Sequence, residues 1–347
     1  VAASRRVHGM KLRFACLFAA LCVAGAAPVA AQDVAEFYKD KQLRMIIGHQ
    51  VGADYDIGGR LLAKYLARHI PGRPTVIVQN MPGAGSIIAA NFLFNQAPRD
   101  GTVFGSFSRN FPSQAMLGLS RIKADPRRFN FIGATAFPSR VCLASGAAKV
   151  KTLTDLFKHE LIVGGSTGSS LSIMPTVFNH VLGTKFRLIE GYKGVTDTVI
   201  AIERGEVEGI CASYGQFTNQ AQQIKDGKLR ILLRAEEVEV PELKHVPSIY
   251  TYAKTDEQRY FLRFILSSTE FGRPYVLPPK VPADRVAAIR KAFADAVKDP
   301  ELVAEAKRMK VDMTYHSPAQ LEALVASLYK TPPATVAEVK KLLPNLR

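Results

Sequence analysis

Three glycine-bearing segments carry the residue types able to hold a ligand. The first reads His49-Gln50-Val51-Gly52-Ala53-Asp54-Tyr55-Asp56, the second Gly83-Ala84-Gly85-Ser86, and the third Gly164-Gly165-Ser166-Thr167-Gly168-Ser169-Ser170. Each follows a short apolar run and precedes an amphipathic one, which places it at a strand-to-helix junction. There, backbone N–H groups at a helix N-terminus converge on one point and favour an anion. Glycine lets the backbone approach a ligand closely, and serine adds a hydroxyl donor. A single such loop says little, because glycine at a strand-to-helix turn is often structural. Three in one chain point to capture of an anion.

The third segment also contains G-x-S-x-G at Gly164, Ser166 and Gly168, the spacing of a hydrolase nucleophile elbow. Asp197, Asp226 or Asp256, with His245 or His316, follow in the chain order of a Ser-Asp-His triad. Acids and histidines are common enough that some set always qualifies, so the enzyme is the alternative here. The seven histidines show no H-E-x-x-H or paired spacing, so no metal is expected. No intact G-x-G-x-x-G or P-loop occurs, and no cofactor is expected. His49 reads as a hydrogen-bonding wall of the first loop rather than a base.

The elements that must position these loops alternate in type. Strands are expected at Leu43–Ile47, Thr75–Gln79 and Gly101–Phe107, with helices at Arg60–Ile70 and Ile87–Asn95. The pattern then repeats. Thr152-Leu153-Thr154-Asp155 forms a capping box that opens a short helix. Strands follow at Leu161–Val163, Phe186–Ile189, Val207–Ala212 and Leu229–Ala235, with helices at Ile173–Leu182 and Thr196–Arg204. Helices at Ala283–Val297, Pro318–Lys330 and Pro333–Leu343 close the chain. Such alternation predicts parallel sheets with helices on both faces.

With 347 residues the chain is long enough for two such domains. Arg5, Arg6, Lys11 and Arg13, the apolar run Phe14–Ala27 and the small residues around Ala31 read as a secretory signal peptide over residues 1–31. Met10 is an alternative start, and the mature chain is expected to begin near Gln32. Removing those four basic residues lowers the formal charge from +16 to +12. A basic protein attracts anions in general. The basic residues are spread along the chain and match no nucleic-acid motif, so nucleic acid is not expected as a partner. Two cysteines remain, Cys142 and Cys211. In an oxidising compartment the pair is expected to bond, the alternative being two buried thiols.

Read in order, the segments resemble the solute receptors of tripartite tricarboxylate transporters, the Bug family. The resemblance rests on Val51-Gly52-Ala53-Asp54-Tyr55-Asp56-Ile57-Gly58-Gly59-Arg60 against P-G-G-x-x-D-x-x-A-R. It continues with Val78-Gln79-Asn80-Met81-Pro82-Gly83-Ala84-Gly85 against V-E-N-x-P-G-A-G, and with Pro98-Arg99-Asp100-Gly101-Thr102 against P-x-D-G-T. Later come Tyr192-Lys193-Gly194, Gly205-Glu206-Val207-Glu208 and Leu243-Lys244-His245-Val246-Pro247. The family implies a two-lobed type II periplasmic binding-protein fold, each lobe a mostly parallel sheet flanked by helices. Residues 32–139 and 260–347 would form one lobe and residues 140–259 the other. It also implies a monomeric periplasmic protein that gives up a small carboxylate to membrane transporter subunits.

On the family pattern the ligand meets the first two loops, from His49 and Gln50 through Gly52, Ala53, Asp54, Tyr55 and Asp56, and from Gly83 to Ser86, with Ser108 beside them. Ser166, Thr167, Gly168, Ser169 and Tyr192-Lys193-Gly194 would close from the second lobe. Asp54 departs from the pattern by adding an acid to a carboxylate site. It either faces solvent or caps the next helix, or it pairs with an ammonium on the ligand, which would favour amino acids. Three function classes stay open: a transport receptor, a serine hydrolase acting through Ser166, and a ligand-sensing subunit of a membrane kinase.

Overall fold

Short apolar segments become strands and longer stretches of helical periodicity become helices. The computed structural model describes residues 29–136, 139–166, 169–237 and 243–342. Its first part runs α1 (Val29–Tyr38), β1 (Gln42–Ile47), α2 (Asp54–His69), β2 (Thr75–Asn80), α3 (Ile87–Asn95), β3 (Val103–Ser106), α4 (Phe111–Met116) and β4 (Asn130–Thr135). Then come β5 (Arg140–Ser145), β6 (Leu161–Gly165), α5 (Ser170–Leu182), β7 (Phe186–Glu190), α6 (Val195–Glu203), β8 (Gly209–Ser213), α7 (Ala221–Lys225) and β9 (Leu229–Arg234). The return comprises α8 (Asp256–Glu270), β10 (Arg273–Leu277), α9 (Ala283–Ala296), α10 (Pro300–Met309), α11 (Pro318–Leu328) and α12 (Pro333–Leu342). Of the expected leader, residues 1–28 lie outside the described residues. Among the described residues no helix is long and apolar enough to cross a membrane.

The strands form two five-stranded sheets of the same design, β2-β1-β3-β10-β4 and β7-β6-β8-β5-β9. In the first, β1 runs parallel to β2 and β3, while β10 runs against β3 and β4. In the second, β6 runs parallel to β7 and β8, while β5 runs against β8 and β9. The two-sheet architecture is the expected one, with one amendment: each sheet is mixed. The reversed strand in each is the one next to a crossing. β5 follows the passage from the first sheet to the second, and β10 follows the passage back.

The period of two along the strands sorts side chains onto two faces. Ile46 of β1 faces a core shared with Cys142 and Ala144 of β5 and with Phe261 and Phe264 of α8. Its neighbours Met45 and Ile47 face the opposite core, with Leu62 and Leu66 of α2 and Ile289 and Phe293 of α9. Val141 and Leu143 of β5 face a third core with Val199 and Ile202 of α6. One apolar core is therefore continuous between the sheets, and α8 lies within it.

Cys142 and Cys211 are direct cross-strand partners on β5 and β8 and form a disulfide, with Cα atoms 4.0 Å apart. Around the short helix at Thr154–Phe157, the Asp155 carboxylate accepts from the amides of Lys151 and Thr152, and the Thr152 hydroxyl accepts from the Asp155 amide. That is the reciprocal capping the sequence suggests.

One helix start differs from expectation. α2 begins at Asp54, six residues before Arg60, because Gly58 and Gly59 are helical. They are packing glycines. A Cβ on Gly58 would lie 2.1 Å from Nη1 of Arg273, and one on Gly59 2.7 Å from Ile47. Asp54, Tyr55 and Asp56 thus form the first helical turn rather than loop.

Candidate ligand-binding site

β1 and β2 pair in parallel with Ile47 opposite Asn80, so the loops that leave them emerge side by side. A hub at Asp56 joins them. Its buried carboxylate accepts from the Gly52 amide (2.9 Å), Arg60 Nε (2.9 Å) and Asn80 Nδ2 (2.8 Å). Burial alone would raise the Asp56 pKa, but the bonds from Arg60, Gly52 and Asn80 prevail and hold it below the ordinary value. Asn80 also donates to the His49 carbonyl (3.0 Å). Asp56, expected at the ligand, is only 2% exposed, and its oxygens shape the first loop.

The second loop is a left-handed turn. Gly83, Ala84, Gly85 and Ser86 have φ of 138°, 46°, 62° and 74°. Ala84 and Ser86 each carry a Cβ in that region, at a cost of roughly 1–2 kcal/mol per residue. What holds Ser86 there is visible: its hydroxyl donates to the Gly48 carbonyl (2.9 Å). A Cβ on Gly48 would sit 2.7 Å from the Ser86 Cβ, so only glycine allows this approach. The Ser86 hydroxyl, expected to donate to the ligand, is thus spent on joining the two loops. Ala84 and Gly85 are exposed, and a Cβ built on Gly85 meets open space.

His49 stacks on Tyr55 with ring centroids 3.8 Å apart and planes 12° from parallel. Burial lowers the His49 pKa, the nearby Arg109 lowers it further, and Asp54 opposes both. The lowered pKa favours the neutral imidazole. Tyr55 is buried; its hydroxyl accepts from the Arg109 amide (3.0 Å) and reaches the Gly272 carbonyl (3.4 Å). It too serves the frame of the site. Gln50 is exposed, and its carbonyl accepts from the Ala53 amide that ends the loop (3.2 Å). Ser108 turns the chain toward α4, its hydroxyl accepting from the Asn110 amide (3.3 Å).

Asp54 has a cation within the protein. Its carboxylate lies 3.6 Å from Nη1 of the buried Arg273, which also donates to the Asp54 carbonyl (3.2 Å) and the Asp312 carbonyl (2.8 Å). Arg273 is 219 residues away in the chain, and no local spacing announces it.

On the second sheet, the Tyr192 amide donates to the Gly165 carbonyl (3.2 Å), and a Cβ on Gly164 would lie 3.1 Å from the Tyr192 ring. The third loop and the Tyr192-Lys193-Gly194 segment therefore sit together, with Lys193 exposed and Gly194 the residue before α6. Ser169 caps α5 by accepting from the Leu171 amide (3.2 Å). The Ser166 carbonyl accepts from the hydroxyls of Ser169 (2.6 Å) and Ser172 (2.9 Å). Thr167 and Gly168 lie outside the described residues. Among the described residues no hydrogen bond joins the first-sheet loops to the second-sheet set.

The triad alternative gains nothing from this geometry. Ser166 is absent from the left-handed positions, His316 bridges through its backbone to Ala134 on the first sheet, and Asp226 accepts from Gln222 on an exposed helix end. Among the described residues no group of three or more metal-ligating side chains occurs.

Other resembling motifs have structural work. Asp100 accepts from the Thr102 amide (2.9 Å) and hydroxyl (2.6 Å), and Tyr38 donates to the Gly101 carbonyl (3.3 Å), which ties α1 to the start of β3. Glu208 accepts from the Ile162 amide (3.0 Å) and steadies β6.

Comparison with known proteins agrees with this architecture. The chain is 19% identical to a TctC solute binding protein from Polaromonas, with a TM-score of 0.67 over 89% of this chain and 99% of that one. A structure described as a periplasmic transporter is 23% identical, with a TM-score of 0.51 over 89% of this chain and 100% of that one. The "UPF0065 protein in gbd 5'region" of Cupriavidus necator is 28% identical over 222 residues, 62% of this chain, and the match spans 65% of that relative's length. The model of the tripartite tricarboxylate transporter family receptor, TctC, matches residues 60–339. This chain belongs to the tripartite tricarboxylate transporter receptor family.

Proposed function

We propose that the protein is a periplasmic, monomeric receptor that captures a small carboxylate between two lobes and delivers it to membrane transporter subunits, without catalysing a reaction. Residues 32–139 with 260–347 would form one lobe and 140–259 the other. The observation that carries the reading is the left-handed turn at Gly83–Ser86. Two non-glycine residues are held there at positive φ, and strain of that kind collects where a backbone is shaped for a ligand. Amides of this turn, at the start of α3 and beside the Gly52 loop, suit one carboxylate.

The test is a thermal-shift screen of mono-, di- and tricarboxylates, aromatic acids and amino acids, followed by calorimetry on the wild type and Gly85→Val. A ligand that binds the folded form raises the melting temperature by mass action. Gly85→Val places a branched side chain in the open space before the turn and is expected to abolish binding. Unchanged affinity in a folded variant overturns the site. Labelling of Ser166 by a fluorophosphonate would instead favour the hydrolase.

A further inference from the structure

Every strand of the first sheet carries a lysine or arginine at the same end. β1 to β4 all run one way and β10 runs against β3 and β4, so the starts of β1–β4 and the finish of β10 share one edge. In the order of the sheet that edge reads Arg73 before β2, Lys41 before β1, Arg99 before β3, Lys280 after β10 and Arg128 before β4. All five are exposed. The first two loops of the candidate site leave the opposite end. Printed contacts hold the row together. The Thr75 amide donates to the Lys41 carbonyl (3.0 Å), Arg285 donates to the Asp100 carbonyl beside Arg99 (2.9 Å), and Asn130 donates to the Pro278 carbonyl between Arg128 and Lys280 (2.6 Å). The centroid of the Phe37 ring is 5.2 Å from Lys41 Nζ and 3.6 Å from Arg285 Cζ.

None of the five forms an ion pair among the described residues, although acids are near. Glu36 takes Lys39, Asp125 takes Arg127, and Asp100 is held by the amide and hydroxyl of Thr102. Asp40 and Asp284 stay exposed. A cavity of about 370 Å³ opens beside Arg73, with Arg68 and Lys291 in its wall. Those two are engaged by Glu301 (2.9 Å) and Asp295 (2.5 Å), which leaves the Arg73 guanidinium to face it. A merely solvated basic surface is the plain alternative for such a row, and the second sheet argues against it. At the corresponding end its strands β6 to β9 are preceded by Glu160, Lys185, Glu208 and Lys228, which balance. The same contrast holds for the longer segments. Residues 32–139 and 260–347 contain 27 Lys and Arg against 16 Asp and Glu, whereas residues 140–259 contain 15 against 14. The excess positive charge is therefore concentrated around the first sheet.

We propose that this edge of the first sheet is a docking face for an anionic phospholipid surface. Neighbouring strands are about 4.8 Å apart, so the five cations form a row about 20 Å long. Charges strung out in a line suit an extended array of phosphates better than one small ion. Each basic residue held near an anionic bilayer adds to the attraction, which decays within a Debye length. A protein partner is less well matched, because charged residues are depleted at the core of protein interfaces. None of the exposed large apolar side chains lies in the turns that carry the five cations, so the contact is electrostatic and superficial. The cavity at Arg73 has room for one headgroup phosphate. Docked this way, the protein turns the first two loops of the candidate site away from the surface. The proposal goes beyond the receptor reading and needs no carboxylate for its test, so either can fail alone.

The test is co-sedimentation of the exported protein with vesicles of phosphatidylcholine alone, or of phosphatidylcholine with about one-third phosphatidylglycerol. Wild type is compared with Arg73→Gln/Lys280→Gln, and with Lys185→Gln/Lys228→Gln, which removes as much charge from the matching end of the second sheet. Melting temperatures first show each to be folded. The wild type should bind only the phosphatidylglycerol vesicles and should release them as salt rises from about 50 to about 500 mM. The first variant should bind about tenfold more weakly and the second within about twofold of wild type. Should the first fail to fold, Arg99→Gln/Arg128→Gln carries the same comparison. No binding by wild type overturns the proposal, as does equal weakening in the two variants. Release by glycerol 3-phosphate at low millimolar concentration would mean a single phosphate in the Arg73 cavity and would overturn the extended face. Polyglutamate bound as tightly as the vesicles, through the same residues, would make the face a seat for an acidic protein and overturn the lipid assignment.

Discussion

Asp56 shows how one side chain can organise a loop. Its carboxylate gathers Gly52, Arg60 and Asn80, which come from the loop, the helix and the neighbouring strand. Asp56→Ala should destabilise by about 2 kcal/mol, since hydrogen bonds to a charged group contribute roughly 1.5–3 kcal/mol. Urea titration of both forms checks this, and a change under about 0.5 kcal/mol, the scale of an ordinary surface substitution, would contradict it. Because its folded pKa is depressed, this contribution is present above the unfolded carboxylate pKa and is lost as pH falls through the folded one. At Gly85 the φ of 62° and open surroundings separate strain from packing. Gly85→Ala should cost about 1–2 kcal/mol from the left-handed backbone alone, again read by denaturant titration. Glycine and serine at the loops were legible in the sequence because their chemistry is local. The commitment of Asp56, Tyr55 and Ser86 to the frame was not, since it depends on Asn80, Gly272 and Gly48. The partner of Asp54 was equally hidden, because Arg273 arrives from the far end of the chain.

Helices and strands were legible wherever a periodic pattern was long. α3 is expected and found over Ile87–Asn95, and β2 gains only Asn80 over its expected span. β5 is expected as the strand that carries Cys142 and is found there, whereas β4, α8 and β10 were missed. β10 is buried at all five positions, so no alternation of exposed and buried residues marks it. α8 carries a capping-box signature at Thr255 and Gln258, a signal the residues did contain. Two predictions belong to this scale. Reducing the Cys142–Cys211 bridge, which closes a separation of 69 residues, should cost roughly 2–4 kcal/mol. Thermal melts with and without reductant should differ accordingly, and the Cys142→Ala/Cys211→Ala variant should be insensitive to reductant. At the start of β10, Gly272 has φ of 55°, and a Cβ there would lie 2.1 Å from the Ala136 carbonyl oxygen. The two crossing segments touch at this point, so Gly272→Ala should destabilise by about 2 kcal/mol or more. A melting temperature within a degree of wild type would show that the crossing yields easily.

For the molecule as a whole, the return crossing is where charge and fold oppose each other. Glu236 lies just beyond β9, and Glu270 ends α8 two residues before the crossing glycine. Both are buried, and burial pushes both pKa values up to about 7. Glu237 adds a third carboxylate beside Glu270, but Arg263 is already engaged with it through two bonds of 2.7 and 2.6 Å. Arg234 and Arg140 face Glu236. The buried Tyr250 hydroxyl, which has no hydrogen-bond partner among the described residues, lies in the field of all three acids. A carboxyl whose folded pKa exceeds its unfolded value favours the folded state fully below the unfolded pKa, near 4.5. It loses that advantage as pH rises through about 7, because the folded state holds protons the unfolded chain has released. His49 and His316 act in the opposite sense: burial lowers both, so their contribution is present above about 6.5 and is lost as pH falls. The melting profile of the wild type mixes these trends, and substitution separates them. Glu236→Gln and Glu270→Gln keep a carbonyl oxygen for the amides of Arg140 and Glu237 and remove the charge. Each variant should therefore melt near wild type at pH 5 and above it at pH 8, by roughly 2–4 °C for each kcal/mol relieved. Parallel wild-type and variant profiles between those limits would mean that the two acids stay ionised in the fold, and that the crossing carries no proton-linked penalty.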